Sequence, residues 1–166
     1  MKTYRFLLFI FSFIFSYQLL AQKEDCVCNT IEGYRYDKDD FTNLRDKPNG
    51  KIIGKLEPDE DGIEPIFSIC KEKNGWLYIE IDGGKKGWIF NKIAGASLRN
   101  YDGQPVNLYK ETSRDKGIKA IVKKEEPPVL ILHCQGRWAY IYIVETKQEG
   151  WIEGEWLCAN SVTSCP

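Results

Sequence analysis

From residue 41 onward the chain is dominated by short runs in which apolar and polar residues alternate. In "NGWLYIEIDGG", Leu77, Ile79 and Ile81 fall on one side, and Trp76, Tyr78, Glu80 and Asp82 on the other. That is the period-two signature of a half-buried strand. Asp82-Gly83-Gly84 then supplies a tight turn into "KKGWIF". "RWAYIYIV" repeats the pattern, with Ala139, Ile141 and Ile143 opposed to Trp138, Tyr140 and Tyr142. "KIIGKLEP" and "EPIFSICKE" are brief apolar runs bounded by Gly, Pro and Asn, which predict further strands. No stretch in this region sustains a helical period.

The same landmarks occur twice. Asn43-Leu44, Trp76 and Gly87-Trp88-Ile89 are followed, in the same order and at similar spacing, by Asn107-Leu108, Trp138 and Gly150-Trp151-Ile152. Cys70 precedes Trp76 and Cys134 precedes Trp138, so a mid-strand cysteine recurs as well. Such self-similarity is the mark of a duplicated structural unit. Five short strands per copy predict an all-β chain of two tandem small antiparallel barrels. The expected divisions are an N-terminal arm at 22–40, barrels at 41–97 and 103–158, and a tail at 159–166.

"NLRDKPNGKIIGKL" followed by "NGWLYIEIDGGKKGWIFNKI" resembles the bacterial SH3 domain family over residues 41–94. The resemblance rests on an Asn-x-Arg-x-x-Pro opening, a Gly-Trp pair and a closing Gly-Trp-hydrophobic motif. The second copy, at 105–158, keeps Asn107-Leu108 but lacks the arginine and the proline. The resemblance implies SH3-like β-barrels that serve as binding modules in exported proteins, often near cell-wall peptides, and implies no catalysis. It also implies an aromatic five residues after the aromatic of the closing motif, where a peptide groove forms. That position is Ile93 in the first copy and Trp156 in the second.

The first twenty-one residues differ from the rest. Lys2 and Arg5 flank an apolar run from Phe6 to about Leu20 that ends at Ala21, the layout of a secretory signal peptide. The run approaches membrane-spanning length, but Ser12, Ser16, Tyr17 and Gln18 dilute it, so the expectation is cleavage near Ala21 and no stable membrane insertion afterwards. Without Lys2 and Arg5, 21 basic residues face 24 acidic ones, a net charge of −3. No clustered positive surface for nucleic acid is expected from this balance.

All six cysteines (Cys26, Cys28, Cys70, Cys134, Cys158 and Cys165) follow the leader. An even set in an exported chain points to disulfides and to a periplasmic or extracellular location. A symmetric pairing would tie Cys26 or Cys28 to Cys70 and Cys158 or Cys165 to Cys134, with other pairings left open.

Candidate chemistry is sparse. His133-Cys134 is the one Cys/His neighbourhood, and adjacent strand residues point to opposite faces, so no nucleophile–base pair is expected. The acidic stretches "YDKDD" and "EPDEDGIE" do not follow a calcium-loop pattern. No cofactor or metal is expected. The second stretch would favour basic over acidic ligands. Strand parity places Trp76 and Tyr78 outside the first barrel, and Trp138 and Tyr140 outside the second. These four residues and Trp156 are the candidate ligand contacts, with the second barrel the favoured binder. Packing between the barrels or under the N-terminal segment is the competing use of the same rings. The expected function is a non-catalytic module that binds a peptide, a cell-wall fragment or a protein ligand. The alternative is a secreted inhibitor or immunity protein that blocks a toxin or hydrolase.

Overall fold

The computed structural model describes residues 26–29, 31–125 and 127–160. The leader at 1–21 and Cys165 lie outside the described residues. The chain is all-β, as the alternation predicts, and its helical turns are short 3-10 segments. The first half contains β1 (Glu32–Arg35), β2 (Thr42–Arg45), β3 (Ile52–Leu56), β4 (Ile66–Lys73), β5 (Trp76–Ile81) and β6 (Lys85–Phe90). A 3-10 turn, Asn91–Ile93, leads into β7 (Ala94–Leu98). The second half repeats the series as β8 (Val106–Tyr109), β9 (Ile118–Val122), β10 (Pro128–Gln135), β11 (Trp138–Ile143) and β12 (Glu149–Glu153). It closes with the 3-10 turn Gly154–Trp156 and β13 (Leu157–Cys158).

The strands pair as one antiparallel sheet in the order β3-β2-β6-β5-β4-β1-β7-β10-β11-β12-β8-β9, with β13 also on β7. The sheet is open at both ends, so the pairing does not show the two separate closed barrels expected from the repeat. The strand that joins the halves is β7. It pairs with β1 through Tyr34↔Gly95 and Arg35↔Ala94. Its pairing with β13 through Ser97↔Cys158 and Leu98↔Leu157 has the same form. In the same way β1 lies on β4 and β7 lies on β10. Thus β7 ends the first copy and begins the second, and residues 22–40 contribute a strand of the sheet.

The recurrent Gly-Trp-Ile now has a physical reason. Where β6 meets β2, a Cβ on Gly87 would stand 2.7 Å from Leu44 Cγ and 2.9 Å from the Arg45 carbonyl. Where β12 meets β8, a Cβ on Gly150 would stand 2.8 Å from Leu108 Cβ and 3.1 Å from the Tyr109 carbonyl. Only glycine lets these strands approach so closely. The isoleucine that ends each motif enters the core, Ile89 at 0 % and Ile152 at 1 % exposure.

That core is continuous across the halves. Leu44, Leu77, Ile79 and Ile89 belong to the same cluster as Leu108, Ile131, Ile141 and Ile152, with Ala94, Ala96 and Leu98 of β7 among them. Each such aliphatic side chain contributes roughly 1.5–3 kcal/mol on burial, and the shared cluster couples the stability of the two copies. Ile81, expected inside, is only partly buried and packs against this cluster.

Two disulfides fasten the N-terminal arm. Cys26 bonds to Cys70 and Cys28 to Cys134, so neighbouring arm residues grip one half each. The predicted link from Cys134 to the C-terminal tail is therefore wrong. Cys158 is also disulfide-bonded. Nor are Cys70 and Cys134 equivalent. Both long strands carry a bulge, between Ile69 and Lys71 in β4 and between Ile131 and His133 in β10. The bulge residue is Cys70 in the first case and Leu132 in the second, while Cys134 pairs with Ala139 as Glu72 pairs with Leu77. Proximity to a tryptophan concealed this offset. The arm's backbone adds to the clamp: Val27 and Cys28 N–H groups donate to the Cys70 carbonyl, and Gly136 N–H donates to the Val27 carbonyl. Disulfides of this kind belong to an oxidising compartment. No helix among the described residues is long and apolar enough to cross a membrane.

Candidate functional site

The 3-10 turns Asn91–Ile93 and Gly154–Trp156 sit at corresponding places, and a groove opens beside each. The first groove, about 190 Å³, is lined by Asp37, Phe41, Arg45, Trp76, Phe90 and Ile93 among others. The second, about 150 Å³, is lined by Pro105, Asn107, Tyr109, Arg114, Glu153 and Trp156 among others. Sheet register makes Arg45 the counterpart of Tyr109, because each faces the tryptophan of its Gly-Trp-Ile motif. Phe90 and Glu153 likewise stand opposite Trp76 and Trp138. Ile93 and Trp156 each end the adjoining turn.

The grooves differ in chemistry. The first is aromatic: Trp76 and Phe90 rings lie 5.6 Å apart, and Phe90 and Phe41 remain 42 % and 38 % exposed. Cations border these rings, with the Arg45 guanidinium 5.8 Å from Trp76, Lys55 Nζ 3.6 Å from Phe41 and Lys92 Nζ 6.0 Å from Phe90. Asp37 and Asp39 line the same groove. In the second groove the place of Phe90 belongs to a carboxylate. Glu153 is buried at 3 % exposure. Its Oε2 accepts from Arg114 Nε at 3.0 Å and from Arg114 Nη2. Arg137 Nη2 stands 2.7 Å from its Oε1, although that oxygen is buried without a hydrogen bond. The hydrogen bonds that Arg114 donates to Glu153 push its guanidinium above its ordinary value.

Of the five predicted contact residues, Trp76 and Trp156 reach the grooves. The other three do not. Parity was read correctly, since Leu77, Ile79, Ala139, Ile141 and Ile143 are fully buried, but the opposite face is covered as well. Tyr78, at 8 % exposure, packs against Trp88 and Cys70. Lys71 Nζ lies 4.9 Å above its ring. Trp138, at 7 %, meets Tyr109 edge-on at 5.7 Å. Tyr140 is half-buried between Trp151 at 5.4 Å and His133 at 5.9 Å. Its hydroxyl accepts from Lys119 Nζ at 2.7 Å. Hydrogen bonding to Lys119 lowers the Glu149 carboxyl, and the same contact raises the Lys119 amine. Sequence reasoning missed Phe41, Phe90, Arg114 and Glu153. The signal for Phe90 and Glu153 was the residue after Gly-Trp-Ile, which changes from one to the other between copies.

A further cavity, about 370 Å³, lies beside Tyr34, Tyr36, Lys38 and Glu64. Its wall includes Arg35, whose buried guanidinium donates to both Glu64 carboxylate oxygens at 2.6 and 2.8 Å and to the Asp39 carbonyl at 2.6 Å. The bidentate pair fixes the end of β1 against the segment before β4, and the bond to Asp39 ties in the segment between β1 and β2. Cys134 has no thiol to offer as a nucleophile, being bonded to Cys28. His133 Nδ1 instead lies 3.3 Å from Glu72 across the two halves. Among the described residues, no group of three His, Cys, Asp or Glu side chains is placed to hold a metal.

No protein-family model matches the chain, and no curated protein matches it. Among solved structures, NlpC1 from Trichomonas vaginalis is 17 % identical, over 76 % of this chain and 44 % of that one, with a TM-score of 0.32. NlpC2 from the same organism is 16 % identical, over 81 % of this chain and 50 % of that one, with a TM-score of 0.33. The chain therefore spans half the length of these structures or less.

Proposed function

We propose that this chain is an exported, non-catalytic binding module of two SH3-like units that recognises a peptide or cell-wall-derived ligand through the grooves beside its 3-10 turns. The observation that carries this reading is the recurrence of a groove at the same place in both copies, with its lining changed while the frame is kept. Packing alone does not require Phe41 and Phe90 to stand so far in solvent, and aromatic side chains of this sort are common anchors for extended peptides. The disulfide-held arm fits an exported setting.

The deciding experiment is a pull-down of wall digests and of total exported protein on the immobilised chain, repeated with Trp76→Ala and Trp156→Ala. Capture of wall peptide that falls at least about ten-fold with either substitution is the expected result. Capture of a single hydrolase or toxin would replace this reading with that of an inhibitor. Capture unaffected by both substitutions would remove the grooves from the account.

A further inference from the structure

The second groove contains a group whose position calls for a cation. Glu153 is buried at 3 % exposure and lines the groove; its Oε2 accepts from Arg114, and its Oε1 has Arg137 Nη2 at 2.7 Å as an ion-pair partner without an aligned hydrogen bond. A buried carboxylate must keep positive charge beside it. Here that charge comes from two arginines that are themselves largely in solvent, Arg114 at 61 % and Arg137 at 69 % side-chain exposure. The two are held differently. Arg137 belongs to the turn between β10 and β11, where its carbonyl accepts from Gly154 N–H. Arg114 projects from the 3-10 turn Arg114–Lys116, in the loop between β8 and β9. The described backbone hydrogen bonds of that loop close on itself, Lys110 to Gly117, Ser113 to Glu111 and Lys116 to Ser113.

We propose that Glu153 is the ligand-reading carboxylate of the second groove and that Arg114 is its internal competitor. The ligand is then an extended peptide bearing a guanidinium or ammonium group, which takes Arg114's place on Glu153. This inference rests on the binding-module reading above and adds the ligand's charge and the control of access to it. Arg114 itself lies largely in solvent, so it can leave Glu153 for water when another cation takes its place on the buried carboxylate. Glu153 remains paired throughout: Arg137 stays beside Oε1, and Oε2 passes from Arg114 to the ligand. Trp156 lines the same groove as this carboxylate, and an indole there can add a cation–π contact to an incoming cation. The first groove has Phe90 at the corresponding position and so lacks this carboxylate.

The test uses three synthetic tripeptide amides, acetyl-glycyl-X-glycine with X arginine, lysine or the neutral isostere citrulline. Each is titrated into the full oxidised chain while the Trp156 indole N–H resonance is followed. Arginine and lysine peptides are expected to shift that resonance, the citrulline peptide far less. Arg114→Ala should tighten binding of the charged peptides roughly ten-fold, because the binding-competent form no longer has to be released. Arg114→Lys, which keeps the competitor, should bind as the parent does. Glu153→Gln should bind all three peptides alike. Should that variant fail to fold, the Arg114 pair carries the test on its own. Unchanged or weaker binding in Arg114→Ala overturns the exchange, and equal binding of the citrulline peptide overturns the charge preference. A wall or protein ligand captured through the grooves but indifferent to Arg114 would sink this inference and leave the binding-module reading standing. Absence of any captured ligand would sink that reading, and the tripeptide titration would still decide the exchange.

Discussion

Ile93 and Trp156 occupy one structural position in two copies. Each ends a 3-10 turn, and each presents its carbonyl to a main-chain amide, Tyr36 N–H at 2.8 Å in one copy and Arg99 N–H at 2.9 Å in the other. Each side chain is half-buried against the core. The frame therefore tolerates a branched aliphatic or an indole at this point, and the choice belongs to the groove rather than to the fold.

Trp156→Ile should accordingly cost little stability, within about 1.5 kcal/mol, since the first copy already accommodates isoleucine there. Urea denaturation followed by far-ultraviolet circular dichroism measures this. A loss near that of a core truncation, roughly 3 kcal/mol or more, would mean that the indole is a structural prop and not a groove wall.

The double duty of β7 sets a folding expectation. A fragment of residues 94–166 keeps the strand on which β10 and β13 both lie, whereas 101–166 exposes their edges. With Cys134 replaced by serine in both, the longer fragment should show dispersed amide resonances and a cooperative melt. The shorter should resemble an unfolded chain. Equal folding of the two would show that the second copy is complete without β7.

The arm's two disulfides should not be equal in effect. The Cys28–Cys134 bond closes a sequence separation of 106 residues and Cys26–Cys70 one of 44. Loop-closure entropy makes the longer link more stabilising by about 0.8 kcal/mol. Serine at both Cys28 and Cys134 should therefore lower the denaturation midpoint further than serine at Cys26 and Cys70. The reverse order would point to native contacts, not chain entropy, as the source of the clamp's effect.

Much of this architecture is legible in the sequence, and the reasons are local. Period-two alternation determines which side of β5 and β11 enters the core, so Leu77, Ile79 and Ile141 were placed correctly. Duplication was legible because a close strand crossing demands glycine at 87 and 150. What the other face of a strand meets is a long-range fact. Nothing near Trp138 says that Tyr109 will cover it, or that Trp88 will cover Tyr78. The bulges that separate Cys70 from the true counterpart of Cys134 leave no mark in spacing either. Nor does alternation reveal that Arg114 will reach Glu153, since a loop side chain carries no period.

Tyr34 offers a test in alkaline solution. Its side chain is buried at 7 % exposure, and burial pushes the phenol above its ordinary value, opposed by a side-chain hydrogen bond with Ser97 of the shared strand β7. The unfolded chain surrenders this proton first. Above about pH 10 the unfolded state thus binds fewer protons than the folded one, and unfolding free energy falls as pH rises. Below that range Tyr34's contribution is fully present. Other tyrosines and lysines titrate nearby, so the informative quantity is the difference between the parent and Tyr34→Phe. Near pH 8 the variant should be less stable by about 1 kcal/mol, the usual worth of the lost hydrogen bond. That gap should narrow as pH climbs past 10, because the variant has no phenol to ionise. A gap that stays constant to pH 11 in urea titrations would show that Tyr34 ionises as readily in the folded chain as in the unfolded one.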